Sequence, residues 1–185
     1  TGNATIGTAG TACTIPAAGV SASGNMTVLG STITTTGNLS AGGSFTLTGS
    51  STINIKAVSS TGALTVGTTA STITTTTLTS GGQTNVQING VGNVTTGAVS
   101  AGSNLKAVSS SGILFLNGTV TSNTGAGGGN ILLQAGGNVR AGAISTSGAA
   151  KTGGVQIDAN MSGGNTLFTI GSNATNGVTS INTSN

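Results

Sequence analysis

The sequence predicts an all-β protein, a single parallel β-helix (β-solenoid) with about 20 residues per coil. Three observations support this prediction. Peptides recur at offsets of 40 to 50 residues. Apolar residues alternate with polar ones over very short runs. Each run ends at glycine, asparagine or serine, the residues that favour turns.

The internal repeats are the strongest of these signals. STITTT occupies positions 31–36 and recurs at 71–76. GNVTTGAVS at 92–100 returns as GNVRAGAIS at 137–145, and IKAVSSTG at 55–62 returns as LKAVSSSG at 105–112. Repeats with periods of 20 to 50 residues are typical of solenoids, propellers and arrays.

The local apolar pattern selects the solenoid among these architectures. Apolar residues two positions apart recur along the chain, as in Phe45/Leu47, Ile53/Ile55, Leu64/Val66, Val86/Ile88, Ile113/Phe115, Ile131/Leu133 and Val155/Ile157. That spacing predicts strands, and each run spans only a few residues. A propeller needs longer strands and aromatic motifs, whereas only 2% of this chain is aromatic. A 40-residue repeat would then comprise two coils of about 20 residues.

The whole chain, 1–185, is predicted to be one solenoid domain cut from a longer repetitive protein. Inward Val, Ile and Leu would stack from coil to coil, and outward Thr, Ser and Asn would face water. The variable repeat offsets predict corner loops of differing length. Thr121–Gly129, rich in glycine, is the clearest such loop.

Composition argues against catalysis. Only 3% of residues are charged, there is no histidine, and Asp158 is the one acidic residue. General acid–base chemistry needs a histidine or a pair of carboxylates, so we expect no enzyme, no metal and no cofactor. Ser103 and Lys106 match the S-x-x-K spacing of penicillin-recognising enzymes, but they lie in a strand repeat where that motif has no meaning.

The four cations are too sparse to follow a nucleic-acid backbone, and the chain lacks Tyr and Trp to stack on bases. We therefore expect no nucleic-acid partner. No apolar run approaches the roughly 20 residues of a membrane-spanning helix. Cys13 is the single cysteine, so it is expected to be a small apolar residue, with an intermolecular bridge or a reactive thiol as alternatives.

Several peptides resemble the repeats of filamentous-haemagglutinin-like exoproteins. They are SAGGSFTLTGSS at 40–51, GGNILLQA at 128–135, GGNVRAGAIS at 136–145 and GGVQIDA at 153–159. The resemblance covers roughly residues 20–160. It implies a right-handed β-helix, secretion to a bacterial surface, and a role in adhesion or matrix building.

Two sets of residues are candidates for functional surfaces. Thr32, Thr34, Thr36, Thr72, Thr74 and Thr76 are predicted to form an exposed threonine face. Lys56, Lys106 and Lys151 are predicted to be repeat-equivalent surface lysines. A lesser alternative for a lysine is an isopeptide crosslink to an asparagine beside Asp158.

These features predict a structural or adhesive extracellular protein that forms a stiff rod or filament on the cell surface or in a matrix. Self-association, head to tail or lateral, is the expected partnership, with host or matrix carbohydrate as a further partner. Two alternatives stay open. One is an ice-binding solenoid that uses its threonine ladders, and the other is a functional-amyloid-like fibre, in which strands stack between chains.

Overall fold

The computed structural model describes residues 2–69, 72–82, 85–122, 129–146, 154–159 and 177–182, with only the backbone described for residues 68 and 177–182. Every regular element in these ranges is a β-strand. The strands, in chain order, are β1 Ala4–Ile6, β2 Cys13–Ile15, β3 Val20–Ala22, β4 Met26–Gly30, β5 Ile33–Thr35, β6 Leu39–Ala41, β7 Phe45–Gly49, β8 Ile53–Ser60, β9 Leu64–Thr68, β10 Ile73–Ser80, β11 Val86–Gly90, β12 Val94–Ser100, β13 Leu105–Ser109, β14 Leu114–Leu116, β15 Val120–Thr121, β16 Ile131–Ala135, β17 Val139–Ser145, β18 Val155–Asp158 and β19 Gly177–Asn182.

The strands form two parallel sheets that wind together around one axis. Sheet A has the order β1-β4-β7-β9-β11-β13-β16-β18, so it gains one strand per turn. Sheet B contains the remaining strands, which also pair in parallel with their counterparts one turn away. The eight strands of sheet A define about seven turns, or a rod of about 34 Å at the usual inter-strand spacing.

Sheet B bends once in every turn, which makes the cross-section three-sided. In β8 the burial alternates from Ile53 to Ile55, but neither Lys56 nor Ala57 is buried, and alternation resumes at Val58. β10, β12 and β17 bend at the equivalent place. In other turns two separate strands replace the bent one, as with β5 and β6. We call the part before the bend the first arm and the part after it the second arm.

The core is a set of apolar columns that run parallel to the axis. Each column has one residue per turn, and its members are at most 2% exposed. The main columns are Met26, Phe45, Leu64, Val86, Leu105 and Ile131 from sheet A, Ile33, Ile53, Ile73, Val94, Leu114 and Val139 from the first arm, and Leu39, Val58, Leu78, Val99, Val120 and Ile144 from the second arm. Cys13 is buried at the start of the first-arm column, paired with Ile33, as expected for a small apolar residue.

Turn length varies at the corner between the second arm and sheet A. Paired residues of sheet A lie 19 positions apart from Met26 to Phe45, but 26 apart from Leu105 to Ile131 and 24 apart from Ile131 to Val155. The predicted loop Thr121–Gly129 lies at this corner. Thr121 still belongs to β15, and the buried Ser122 hydroxyl donates a hydrogen bond to the Gly129 carbonyl at 3.1 Å. Residues 123–128 of that loop lie outside the described residues.

The all-β fold, the parallel stacking and the coil of about 20 residues are confirmed. The right-handed winding stays a prediction. One strand register was wrong: Leu114 and Leu116 face the core, whereas Ile113 is 42% exposed and Phe115 is only half-buried. Four consecutive apolar residues offer two alternations, and a shift of one position exchanges the faces.

Candidate functional surfaces

The predicted threonine face lies on the first arm of sheet B. Thr34 and Thr74 point outward from β5 and β10, and Thr32, Thr36, Thr72 and Thr76 flank them with exposed or half-buried side chains. The sequence showed only two copies of the STITTT motif, separated by a turn that lacks it. In the structure that intermediate turn supplies Thr52 and Asn54 to the same columns.

The outward columns of this face therefore extend across several turns. One column consists of Thr14, Thr34, Asn54, Thr74, Thr95, Phe115 and Arg140. The chemistry of this column changes along the axis: hydroxyl groups line its first part, and Phe115 and Arg140 end it. The Arg140 Cζ atom lies 4.6 Å from the centre of the Phe115 ring. A contact of this kind is a cation–π interaction.

The central threonines of the STITTT motifs point inward and stabilise the bend. Thr35 is 5% exposed and Thr75 is 4% exposed. The Lys56 backbone N–H donates to Thr35 Oγ1 at 3.0 Å, and the Thr75 hydroxyl donates to the Lys56 carbonyl at 2.9 Å. The bend interrupts strand pairing, and these two hydroxyls satisfy backbone groups that it exposes.

Lys56 and Lys106 lie at different places in the turn. Lys56 lies in β8 of sheet B, opposite Thr76, and Lys106 lies in β13 of sheet A, paired with Gln87 and Leu132. Both side chains are exposed. An offset of 50 residues equals about two and a half coils, so it carries a repeated peptide to the other sheet. Lys151 lies outside the described residues.

An asparagine ladder follows the corner just before sheet A, and sequence reasoning missed it. Its members immediately precede the strands β1, β4, β11, β13 and β16, and they are Asn3, Asn25, Asn85, Asn104 and Asn130. Each Oδ1 atom accepts a hydrogen bond from the backbone N–H one turn further on, over distances of 2.7 to 3.1 Å. The signal in the sequence is an asparagine directly before an alternating apolar run.

A groove runs beside the later rungs of this ladder, and we call it the amide groove. Asn85, Asn104 and Asn130 form one side of the groove. The outward row of sheet A forms the other side, with Gln87, Lys106, Leu132 and Gln156. Two cavities, of about 300 Å³ and about 380 Å³, share Asn130 and Leu132 and so form one continuous depression.

The ionisable side chains that the structure describes lie apart from one another. The Asp158 carboxylate accepts hydrogen bonds from the Gln134 and Gln156 side-chain amides at 3.0 and 2.9 Å. Ser103 lies in the corner before β13, so it does not lie at the start of a helix with Lys106. Within the described ranges, no group of three His, Cys, Asp or Glu side chains could hold a metal ion.

Comparisons with protein-family models, with curated proteins and with solved structures found no match to this chain. A separate search of the described residues found no helix long and apolar enough to cross a membrane. The function of this chain is therefore inferred from its fold and its surfaces.

Proposed function

We propose that this chain is a rod-forming segment of a secreted structural or adhesive protein, displayed on a bacterial surface or in an extracellular matrix, and that it is not an enzyme. The observation that carries the proposal is the unbroken stack of about seven turns around a continuous apolar core. Each turn is joined to the next by backbone hydrogen bonds along both sheets, which makes a stiff element.

The placement of the repeat peptides supports a filamentous-haemagglutinin-like origin. SAGGSFTLTGSS, GGNILLQA and GGVQIDA contribute β7, β16 and β18, which are all strands of sheet A. GGNVRAGAIS contributes β17 of sheet B. Three of the four glycine-led peptides thus occupy matching places on sheet A, in the turns of β7, β16 and β18.

The outer surface suits many weak contacts. It consists of hydroxyl and amide groups with three exposed cations, Lys56, Lys106 and Arg140, among the residues described. Because it has little charge to repel a second copy, self-association is expected. Within the described residues β1 pairs with β4 alone, and strand addition at such a strand is how a second copy would continue the stack head to tail.

Electron microscopy with a variant at this edge tests self-association. The Ala4 N–H bonds to Asn25, so in a parallel pair the Thr5 N–H points away from β4. Thr5→Pro removes this outward donor, and proline is tolerated on the open side of an edge strand. We expect wild-type protein and Thr5→Val to form filaments and Thr5→Pro to form markedly shorter ones.

Equal filament lengths for Thr5→Pro and Thr5→Val would refute head-to-tail stacking through β1. Immunogold labelling of the source cells with an antibody to this chain tests the location. Label at the cell surface or in the matrix is expected, and label confined to the cell interior would refute the proposal.

Ice binding is the second candidate, and the threonine columns of the first arm favour it. Thr32, Thr52 and Thr72 form one column, beside the column of Thr14, Thr34 and Thr74. A thermal-hysteresis measurement decides between the candidates. An ice-binding face predicts hysteresis that Thr74→Lys abolishes, whereas a purely structural rod predicts none. A functional-amyloid-like fibre is less favoured, because the strand pairing described here lies within one chain.

A further inference from the structure

The amide groove is continuous along the rod axis. It crosses β11, β13, β16 and β18, and successive strands are about 4.8 Å apart. The groove is therefore about 14 Å long across these three steps and open on its outer side. Such a shape accommodates an extended chain parallel to the axis better than a compact small molecule.

The side chains of the groove present mainly hydrogen-bond donors. The Oδ1 atoms of Asn85, Asn104 and Asn130 already accept backbone hydrogen bonds within the ladder. Their amide NH₂ groups are donors, and Asn104 uses one of its hydrogens to bond to Asn85 Oδ1 at 3.2 Å. The exposed side chains of Lys106 and Gln87 add further donors on the opposite side.

The backbone is not available for recognition in this groove. Of the strands that form its floor, β11, β13 and β16 pair with neighbours on both sides, so a chain that lies along the groove and across these strands meets no free backbone groups there. A peptide bound by strand addition needs an open sheet edge, and a peptide bound as a helix needs an apolar groove. Among the described residues of the groove, half-buried Leu132 is the one large apolar side chain that points outward, so the groove lacks the row of apolar pockets that a bound helix needs.

The charges also restrict the ligand. Among the described residues that line the groove, Lys106 is the single cation, and the Asp158 carboxylate accepts a hydrogen bond from Gln156 at the far end of the groove. A polyanion would meet one positive and one negative group, with little net attraction. A ligand with many uncharged hydroxyl groups matches these amide and ammonium donors, because each hydroxyl oxygen accepts hydrogen bonds.

The lengths of the turns also indicate that the binding surface lies on this side of the molecule. Two turns of sheet A, with offsets of 26 and 24, are lengthened at the corner that leads into the asparagine ladder. In solenoids, insertions on one face often mark the binding face.

From this geometry we propose that the amide groove binds a neutral, unbranched polysaccharide. This inference rests on the proposed extracellular function and assigns it a ligand class and a site. Lys106 and Gln87 on one side of the groove and the asparagine amides on the other contact the hydroxyl groups of successive sugars. The threonine face of sheet B takes no part in this binding.

Affinity electrophoresis of the full chain tests the proposal, with hydroxyethyl cellulose and glucomannan as neutral probes and polygalacturonate as the anionic probe. Mobilities are normalised to gels without polysaccharide. We expect retardation by at least one neutral probe. We expect Lys106→Gln to weaken it about tenfold, because the charged ammonium donor is replaced by a shorter, neutral amide.

Lys56→Gln is the matched control, since Lys56 lies in the same Lys-Ala-Val-Ser-Ser peptide and is also exposed, but on sheet B. It should leave the affinity within about twofold, and Gln87→Ala should weaken binding as Lys106→Gln does. Equal effects of the two lysine variants, retardation by polygalacturonate alone, or no retardation by either neutral probe would overturn the inference. The filament and surface-labelling experiments do not depend on this outcome, so they test the proposed function separately.

Discussion

The peptide Lys-Ala-Val-Ser-Ser occurs twice in this molecule and takes two opposite orientations. In the first copy, at 56–60, Val58 is 1% exposed and Ala57 is half-buried. In the second copy, at 106–110, Ala107 is fully buried and Val108 is half-buried. The same five residues thus present different side chains to the core.

The bend of sheet B explains the difference. In β8 both Lys56 and Ala57 lie at the bend, so the alternation shifts by one position before Val58. In β13 the strand is straight and the alternation continues from Leu105 to Ala107 and Ser109. Local sequence alone therefore does not decide which face of a strand is buried, because the position within the turn decides it.

The largest expected effect comes from placing a charge at the two valines. Val58→Asp buries an unpaired carboxylate, and we expect a loss of about 4 kcal/mol or more in the free energy of unfolding. Val108→Asp places the same group at the solvent face and should change stability by about 0.5 kcal/mol. Urea denaturation followed by circular dichroism measures both. Similar losses for the two variants would contradict the assigned bend.

The repeats and the short alternating runs were enough to predict the solenoid, since Phe45/Leu47, Ile53/Ile55 and Val86/Ile88 all face the core as expected. The outward placement of Thr34 and Thr74 also follows from alternation within STITTT. Such patterns are readable because each strand lies against one side of a continuous core.

Other features needed the turn geometry. The equivalence of Lys56 and Lys106 failed because their offset spans two and a half coils, which moves the peptide from one sheet to the other. The amide groove depends on Asn104 and Asn130, which are 26 residues apart and become neighbours only after the longer turn has been closed. The asparagines of the ladder are not separated by a constant number of residues, so a search for a regular repeat does not reveal them.

A second prediction tests the tight packing at the bend. A Cβ atom at Gly97 would lie 1.9 Å from the Thr76 carbonyl oxygen of the previous turn, whereas one at Gly67 in β9 would meet nothing closer than 3.7 Å. Gly97→Ala should therefore destabilise the protein by about 1–3 kcal/mol, as overpacking does. Gly67→Ala is the matched control and should have little effect or stabilise slightly. Equal melting temperatures for the two variants would contradict this geometry.

The smallest expected effect concerns the Thr35 hydroxyl, which accepts a hydrogen bond from the Lys56 N–H at the bend of β8. Thr35→Val keeps the shape of the side chain but removes the acceptor of the Lys56 N–H, which then lies without that hydrogen bond in a partly buried place. We expect a loss of about 1–2 kcal/mol, measured as a shift in the denaturation midpoint at an unchanged slope. Thr95→Val, on the outward side of β12, should change stability by less than about 0.5 kcal/mol. The Lys106 N–H needs no such side-chain partner, because its strand, β13, does not bend. Equal stability losses for Thr35→Val and Thr95→Val would show that the core packing alone stabilises the bend of β8.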